Sequence, residues 1–407
     1  MYIKRKIEDK ILRYVEKPEI IAIVGPRQCG KTTLLKELYN IVGEKAVFLT
    51  FEDKTVLDLF DQGIEEFARL YVKPNSYLFI DEFQYSKKGG KLLKYIYDLN
   101  VGKIKIFISG SSVAELTVRA IKHLVGRIFV FNLFTFDFEE FLISKNKKLA
   151  ELYQKNKIDL AGLGSPYGQD INKSEADKLK SYYDEYAVFG GYPRVVLSSD
   201  SEEKKEVLKN IFNTYFLREV KDILGLIDDY KLAKMIKALA LQIGSLIEYA
   251  EICQTSEFSY QTIKKYLNFL EKTFICAFPK PFFKNKRKEI VKNPKVYFFD
   301  TGLRNFIVND FRGLDERGDA GFLLENAVAM QILKRGSALN FWRTKQKQEI
   351  DFIVDLENNK QIALEVKKTA EFPKTLHEFQ TSYPEISLAL LYFHGELNKH
   401  TLPVYLL

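Results

Sequence analysis

The chain has 407 residues, with a hydrophobic fraction of 46% and a charged fraction of 29%. These values are ordinary for a folded globular protein and exclude a disordered or collagen-like chain. The length predicts two or three domains. Lysine and arginine exceed aspartate and glutamate by 62 − 54 = 8, a mild excess that permits a polyanionic partner without requiring one.

The compartment is predicted from the cysteines and from the absence of long apolar stretches. Cys29, Cys253 and Cys276 are widely spaced and odd in number, which fits neither a disulfide framework nor a zinc cluster and indicates a reducing environment. No stretch reaches the roughly 18 apolar residues of a spanning helix. The first residues, MYIKRKIEDK, lack the apolar run of a secretory signal. We therefore expect a cytoplasmic protein.

Short apolar runs alternate with helical segments over residues 1–140, which predicts an α/β fold with a parallel sheet flanked by helices. The predicted strands are Ile20–Val24, Ala46–Thr50, Tyr77–Ile80, Ile104–Ser109 and Ile128–Phe134. The predicted helices are Lys31–Tyr39, Gly63–Leu70 and Gly89–Leu99. Polar and loop-like residues over 141–180 indicate an insertion or hinge, or alternatively a helical hairpin. Helical periodicity dominates residues 175–275, and strand patterns return over 285–407.

The strongest motif is GPRQCGKT, which follows an apolar strand and precedes a helix. It is a complete Walker A pattern, in which backbone N–H groups and the helix N-terminus bind phosphate. Lys31 is expected to reach the β- and γ-phosphates, and the Thr32 hydroxyl is expected to bind Mg²⁺. The predicted nucleotide-binding residues are Gly25, Pro26, Arg27, Gln28, Cys29, Gly30, Lys31, Thr32 and Thr33. The predicted ligands and cofactors are therefore ATP and Mg²⁺.

Two further strand ends carry polar residues. Asp81 and Glu82 follow the run YLFI, so Asp81 is expected to hold the Mg²⁺ shell and Glu82 to orient or deprotonate the attacking water. Ser109, with Ser111 and Ser112, follows the next run at the sheet edge where ligands bind. One of these serines contacts the γ-phosphate or the water, or else Ser111 or Ser112 only caps the helix that begins near Val113.

The order GPRQCGKTT, LFIDEFQ, FISGSS, LVGRIFVFNLFTFDFEEF and VFGGYPRVV resembles prokaryotic AAA-type P-loop ATPases of the group with an additional catalytic glutamate (the ASCE class) and an uncharacterised C-terminal module. The resemblance covers essentially the whole chain. It implies an arginine finger or sensor, for which Arg127 is the first candidate and Arg119 the second. It also implies that Gly190–Pro193 forms a structural turn joining the ATPase core to the helical region.

Residues 249–299 have features of a winged helix. Tyr249–Cys253 is predicted as a short helix, and Ser259 is predicted to cap a second helix over Tyr260–Lys272. A hairpin-like pair of apolar segments follows, and its basic tip carries seven cations against Glu289, a balance of 7 − 1 = 6. The seven are Lys280, Lys284, Lys286, Arg287, Lys288, Lys292 and Lys295. Lys284, Lys286, Arg287 and Lys288 are the predicted DNA contacts, although winged helices also bind proteins.

The last hundred residues resemble the core of PD-(D/E)xK nucleases. Asp351 lies in one predicted strand, and Glu365 and Lys367 lie on one face of the next strand, while Glu325 matches the helix glutamate often found in that superfamily. Glu325, Asp351 and Glu365 are predicted to bind a second Mg²⁺, with Lys367 orienting water or stabilising charge. The alternative is a cross-strand carboxylate–lysine pair at a sheet surface.

These features divide the chain into four predicted domains. They are an ATPase core over 1–140, an insertion and helical linker or lid over 141–230, a winged-helix-like domain over 231–305 and a nuclease-like domain over 306–407. Two functions are compatible with this organisation. The first is an ATP-driven switch or motor on DNA, and the second is a signalling ATPase whose C-terminal domains bind a protein partner without nuclease activity.

Overall fold

The computed structural model describes residues 2–110, 121–160, 168, 170–216, 229–283, 292–356, 360–371, 375–395 and 401–407. The chain divides into two compact units. Unit 1 comprises Met1–Thr135 and Lys272–Phe274, and unit 2 comprises Phe136–Glu271 and Ile275–Leu407. Ser111, Ser112, Arg119 and the four predicted DNA contacts, Lys284, Lys286, Arg287 and Lys288, lie outside the described residues.

Unit 1 is built on a parallel sheet of five strands in the order β2-β3-β4-β1-β5. The strands are β1 (Ile20–Val24), β2 (Ala46–Thr50), β3 (Ser76–Asp81), β4 (Ile104–Gly110) and β5 (Ile128–Asn132). The predicted sheet is confirmed, and each predicted strand end lies within two residues of the observed one. Because β4 pairs in parallel with both β1 and β3, the carboxyl ends of all three strands meet at one edge.

Helices cover both faces of this sheet. They are α1 (Lys6–Leu12), α2 (Lys31–Val42), α3 (Lys54–Gln62), α4 (Ile64–Tyr71) and α5 (Gly89–Leu99). Successive residues of a strand point to opposite faces, so Ala22 of β1 packs in the same core as Phe60 and Phe67. Its neighbour Ile23 packs in the other core with Leu34. This double burial explains why β1 is a continuous apolar run.

Unit 2 combines a helical core with a second sheet. Its helices are α6 (Phe138–Lys145), α7 (Lys147–Asn156), α8 (Lys173–Phe189), α9 (Pro193–Val196), α10 (Ser201–Asn210), α11 (Asp229–Leu241), α12 (Tyr249–Ser256), α13 (Tyr260–Lys272), α14 (Thr301–Val308), α15 (Ala320–Lys334) and α16 (Thr375–Ser382). The segment predicted as an insertion, hinge or hairpin includes most of α6 and all of α7. It packs within unit 2, where the buried Tyr153 hydroxyl donates to the Leu407 carbonyl.

The sheet of unit 2 has six strands in the order β13-β12-β11-β10-β9-β7, and β6 pairs separately with β8. These strands are β6 (Cys276–Ala277), β7 (Lys280–Pro281), β8 (Tyr297–Phe298), β9 (Leu339–Arg343), β10 (Glu349–Asp355), β11 (Gln361–Thr369), β12 (Ser387–His394) and β13 (Thr401–Pro403). β10 runs antiparallel to β9 and β11, whereas β12 is parallel to β11 and β13. α15 packs against β8 and against the central strands of the sheet.

The turn at Gly190–Gly191 connects α8 to α9 and lies wholly within unit 2, so it does not join the ATPase core to the helical region as the resemblance implied. A Cβ atom on Gly190 would lie 2.0 Å from Asp300 Oδ1, and Gly190 has a φ of +75°. The adjacent Gly191 N–H donates to Asp300 Oδ2 at 2.8 Å. Only glycine fits this close approach of the chain to Asp300. Within the described part of the chain, no helix has both the length and the apolarity that a membrane crossing requires.

Candidate functional site

The loop between β1 and α2 has the backbone that a phosphate-binding loop requires. A Cβ atom on Gly25 would lie 1.9 Å from the Leu133 carbonyl oxygen, so the loop cannot pass β5 with any other residue there. Gly30 has a φ of +98° and forms the N-cap of α2, and no side chain among the described residues caps that helix. The first N–H groups of α2 therefore face the loop without a side-chain acceptor, as an anion site needs.

Lys31 lies within this loop rather than on the surface. Its side chain is buried, and its Nζ donates to the Gly25 carbonyl at 3.1 Å and to the Pro26 carbonyl at 2.8 Å. Because these acceptors are neutral carbonyl groups, a phosphate oxygen would compete well for the same ammonium group. The position agrees with the predicted contact to nucleotide phosphates.

The Walker A and Walker B segments touch. The Thr32 hydroxyl donates to Asp81 Oδ2 at 2.7 Å, and Asp81 ends β3 with its carboxylate buried. A hydroxyl and a carboxylate oxygen side by side are the hard donors that Mg²⁺ prefers, with room left in its coordination shell for phosphate oxygens and water. The predicted pair Thr32 and Asp81 therefore fits a magnesium ion.

Ser109 links the two acidic residues of the Walker B segment. Its hydroxyl donates to Asp81 Oδ1, and its oxygen accepts the Glu82 N–H at 3.4 Å. The Ser109 proton is thus directed to Asp81, and a contact of Ser109 with the γ-phosphate or the water stays a prediction. Ser109 acts here as a positioning residue for Asp81 and Glu82.

Glu82, which follows Asp81, has an uncommon backbone conformation. Its φ is +54°, a left-handed value that few non-glycine residues adopt and that often accompanies functional sites. Gln84, two residues further on, donates from Nε2 to Glu82 Oε2. The neutral Gln84 amide thus fixes the position of the Glu82 carboxylate.

The other residues of the loop have different surroundings. Arg27 hydrogen-bonds the Tyr85 hydroxyl, whose pKa is raised mainly by burial. Cys29 is buried behind the loop, where its Sγ donates to the Leu133 carbonyl at 3.3 Å and burial raises the pKa of the thiol. Gln28 has a φ of +59°, and Thr33 is exposed on α2.

Arg5 is a supporting residue of this site that sequence reasoning missed. Its guanidinium is buried and donates from NH1 to the Cys29 carbonyl at 2.8 Å and from NH2 to the Phe134 carbonyl at 2.7 Å. It therefore ties the back of the loop to the segment after β5. In the sequence, Arg5 is one cation in the charged stretch MYIKRKIEDK, and no motif distinguishes it from its neighbours.

The structure places Arg127 away from the phosphate loop of its own chain, and its role as an arginine finger or sensor stays a prediction. The Arg127 carbonyl accepts the Ile20 N–H at 2.8 Å, so Arg127 lies where β1 and β5 begin. The phosphate loop starts after β1 ends, about 16 Å away for five residues of strand. The Arg127 guanidinium instead pairs with Asp98 at 2.7 Å on the surface.

In unit 2, the structure brings the predicted nuclease residues together. Glu325 lies on α15, Asp351 on β10, and Glu365 and Lys367 on β11. The Asp351 N–H donates to Glu365 Oε2 at 3.3 Å, and the Val366 N–H donates to Asp351 Oδ2 at 2.8 Å. Lys367 Nζ lies 2.6 Å from Glu365 Oε1. The Glu325, Asp351 and Glu365 side chains are buried, whereas the Lys367 side chain is 40% exposed, so the alternative of a carboxylate–lysine pair at a sheet surface stays open.

Lys295 occupies the centre of these carboxylates, and this contradicts two predictions. Its side chain is fully buried, and its Nζ lies 2.7 Å from Glu325 Oε1, 2.5 Å from Glu349 Oε1 and 3.9 Å from Asp351 Oδ1. Lys295 therefore cannot contribute to an exposed basic tip. No group of three or more acidic, histidine or cysteine side chains among the described residues is arranged to hold a metal, so the predicted second Mg²⁺ site does not fit.

Burial dominates the electrostatics of this carboxylate cluster, which we define as Glu325, Glu349, Asp351 and Glu365. Burial, reinforced by the nearby Asp351 charge, raises the pKa of Glu325 to about 8 and that of Glu365 to about 7. Burial would by itself lower the pKa of Lys295, but Glu325, Asp351 and Glu349 outweigh it and raise that pKa. The lysine stays charged while the carboxylates compete for protons.

The helices predicted for the winged-helix region are present. α12 and α13 flank a turn, and Ser259 Oγ accepts the Thr262 N–H at 3.2 Å, as expected of an N-cap. β6 and β8 pair antiparallel, Cys276 opposite Phe298. Lys264 and Lys265 are exposed on α13. Of the predicted basic tip, Lys280 and Lys292 are exposed.

Comparison with known proteins gives matches to three families along the chain. Residues 17–142 match a family described as "AAA domain". Residues 180–314 match "Domain of unknown function (DUF8612)", and residues 320–401 match "Domain of unknown function (DUF4143)". The two later families carry no description of activity.

Similar full-length proteins are also without a described activity. An uncharacterized protein of Methanocaldococcus jannaschii is 26% identical over 381 residues, covering 90% of this chain and 78% of that protein. An uncharacterized protein of Haemophilus influenzae is 27% identical over 391 residues, covering 91% and 87%. Among solved structures, the Walker-type ATPase PABY2304 of Pyrococcus abyssi aligns with a TM-score of 0.46 at 14% identity, over 75% of this chain and 96% of that one. Residues 17–142 therefore match an AAA domain, and the parallel sheet and the Walker contacts give this part of the chain a P-loop ATPase-like fold.

Proposed function

We propose that the protein is a Mg²⁺-dependent ATPase that hydrolyses ATP to ADP and phosphate. The observation that carries the proposal is the 2.7 Å hydrogen bond between Thr32 and Asp81. It joins the phosphate loop to the acidic strand end, so the groups that hold a triphosphate and its metal lie in one place. The AAA domain match over residues 17–142 supports the same function.

The roles of the side chains follow from their positions. The N–H groups at the start of α2 bind phosphate oxygens, and Lys31 exchanges its carbonyl partners for the β- and γ-phosphates. Thr32 and Asp81 hold Mg²⁺, which neutralises charge on the phosphates when bound. Glu82, fixed by Gln84 and by its N–H bond to Ser109, orients the attacking water and accepts its proton.

We further propose that this ATPase is a DNA-associated switch or motor whose C-terminal domain has a nuclease-like fold. The support is the helix–turn–helix pair α12 and α13, with Lys264 and Lys265 exposed on the second helix, together with the basic sequence from Lys284 to Lys288. Exposed cations such as Lys264 and Lys265 can bind the phosphate backbone of DNA, and such binding depends strongly on salt concentration.

A second candidate function is favoured by one observation. The ammonium group of Lys295 lies among the carboxylates that a nuclease would use for metal. A signalling ATPase whose C-terminal domains bind a protein partner, without cleaving nucleic acid, fits that arrangement because it requires no metal at these carboxylates.

Hydrolysis is tested by comparing the wild type with Lys31→Ala and Glu82→Gln in ATP binding and in turnover. Lys31→Ala should weaken ATP binding by at least about 100-fold, because the phosphates lose a charged donor. Glu82→Gln should bind ATP normally while hydrolysing it at least about 100-fold more slowly. Lys36→Ala, which removes an exposed lysine from the same helix, is the matched control. Equal turnover in both active-site variants and the wild type contradicts the proposal.

Association with DNA is tested by ATP turnover with and without single- and double-stranded DNA, together with a gel-shift titration in rising salt. Binding should weaken steeply with salt, and a triple substitution of Lys286, Arg287 and Lys288 by alanine should reduce it by at least about tenfold. The triple variant should keep its basal ATP turnover. If DNA neither binds to the protein nor changes its ATP turnover, the result favours the second candidate function, the signalling ATPase.

A further inference from the structure

The cation buried among the carboxylates of unit 2 is the ammonium group of Lys295. Lys295 Nζ contacts carboxylates from two different elements, Glu325 of α15 and Glu349 of β10, and lies 3.9 Å from Asp351. The Tyr297 hydroxyl also donates to Glu325. We propose that Lys295 is the resident cation of the carboxylate cluster, that it takes the place of a divalent metal ion, and that this domain is therefore built without a metal.

The charges of the cluster are consistent with an ammonium ion at its centre. Its four carboxylates face three cations, because Lys367 pairs with Glu365 at 2.6 Å and Arg343 pairs with Glu349 at 2.8 Å. A divalent ion bound to the same oxygens would lie within about 4 Å of the ammonium group and would be strongly repelled in this poorly solvated place.

Space also favours the lysine. A Cβ atom on Gly244 would lie 3.0 Å from Glu325 Oε2 and 2.7 Å from the Phe322 ring, so the backbone already closes that side of Glu325. The Lys295 ammonium also lies 5.5 Å from the centre of the Phe341 ring. A magnesium ion keeps several waters, and between these carboxylates the Lys295 side chain occupies the position where the ion would lie.

The backbone of Lys295 explains how the side chain reaches this point. The Lys295 N–H donates to the Pro279 carbonyl at 3.0 Å, and the Gly244 N–H donates to the Val296 carbonyl at 3.0 Å. The next residues form β8, which packs against α15. Lys295 therefore links the segment before β8 to α15 and to β10, which is the structural role that a bound metal would otherwise have.

The experiment uses the full chain carrying Asp81→Asn, which removes the ATPase metal ligand, with Mn²⁺ alone as the probe. Titration calorimetry and thermal unfolding are recorded without nucleotide, with Mn²⁺ and with a chelator. The parent should show no saturable Mn²⁺ binding below about 1 mM and no change in Tm with either addition. Saturable binding that is lost on Asp351→Asn overturns the proposal.

Lys295→Met, in the Asp81→Asn chain, removes the ammonium group and nearly preserves its volume. Leaving buried carboxylates without their cation should lower Tm by about 5 to 10 °C. Mn²⁺ should now bind and recover part of that loss, and adding Asp351→Asn should abolish the recovery. The proposal is overturned if the Lys295→Met variant has the same Tm as the parent and Mn²⁺ neither binds to it nor changes its Tm.

Lys295→Arg, which keeps the charge, is the matched control and should not bind Mn²⁺. If Lys295→Met does not fold, the Mn²⁺ titration of the parent chain still tests the proposal, because saturable binding that depends on Asp351 would contradict it.

Discussion

The two units contain acidic strand residues beside a lysine, but the two lysines have opposite surroundings. In unit 1, Lys31 donates to backbone carbonyls and Asp81 accepts hydrogen bonds from Thr32 and Ser109. In unit 2, Lys295 itself contacts the carboxylates. The hydroxyl partners of Asp81 are neutral, whereas the ammonium partner in unit 2 is itself a cation that competes with a metal ion for the same oxygens. Similar residue types therefore give a metal-ready site in unit 1 and a closed ion network in unit 2.

The comparison predicts different outcomes for two equivalent substitutions. Asp81→Asn should reduce Mg²⁺-dependent ATP hydrolysis by at least about 100-fold, because the oxygen that faces the metal loses its charge. Asp351→Asn should leave hydrolysis and its Mg²⁺ dependence within about twofold of the wild type. Both are measured as turnover against Mg²⁺ concentration. A large change in Mg²⁺ dependence for Asp351→Asn would place a working metal site in unit 2.

The loop geometry of unit 1 is tested by Gly25→Ala. The added methyl group would lie 1.9 Å from the Leu133 carbonyl oxygen, so the loop must shift, which we expect to cost about 3 kcal/mol in stability and to weaken ATP binding by about 100-fold. Gly43→Ala is the control, since its Cβ would meet no atom within 4 Å although its φ is +78°. It should cost about 1 kcal/mol and leave ATP binding unchanged. Unfolding and ATP titration measure both effects.

Substitutions of Arg5 test whether its hydrogen bonds behind the phosphate loop affect the affinity for ATP. Arg5→Met should leave the Cys29 and Phe134 carbonyls without this charged donor, at a cost of about 1 to 3 kcal/mol, and should weaken ATP binding by about tenfold. Arg5→Lys should recover part of the affinity because it keeps one charged donor. The test is the ATP dissociation constant together with Tm for each variant. Lost stability with unchanged ATP affinity would limit Arg5 to a folding role.

The smallest effect is expected for Arg127→Ala. Arg127 is paired with Asp98 at the edge of the sheet opposite the phosphate loop, and exposed ion pairs contribute little to stability. Turnover should stay within about twofold of the wild type, and Tm within about 2 °C. A large loss of turnover with normal ATP binding would instead indicate that Arg127 acts on the nucleotide of another copy of the chain.

The site in unit 1 was largely predictable because most of its residues lie in short, contiguous sequence motifs. The loop Gly25–Thr32 joins a strand to a helix that follow directly in sequence, so the glycines and the lysine form one contiguous motif. Asp81 and Glu82 come directly after the apolar run Tyr77–Ile80, and parallel strands bring their ends together. Ser109 was found at the next strand end, but its partners depend on the register of β3 against β4, which no local pattern gives.

The carboxylate cluster and Lys295 were only partly predictable because their residues come from four separate segments. Asp351, Glu365 and Lys367 lie on adjacent strands, and the alternation of a strand places Glu365 and Lys367 together. Lys295 lies 56 positions before Asp351, in a stretch rich in lysine, where a solvated side chain is the ordinary expectation. Its burial depends on how the segment before β8 packs on α15.

The sequence by itself determined the parallel sheet, the phosphate loop and the acidic strand end, because strand periodicity and contiguous motifs act over a few residues. Only the tertiary structure decided that Arg5 supports the loop, that Arg127 lies at the far edge of the sheet and that Lys295 is buried among carboxylates. The physical reason is that the electrostatic role of a cation depends on what surrounds it. Those surroundings are assembled from segments that are distant in the chain.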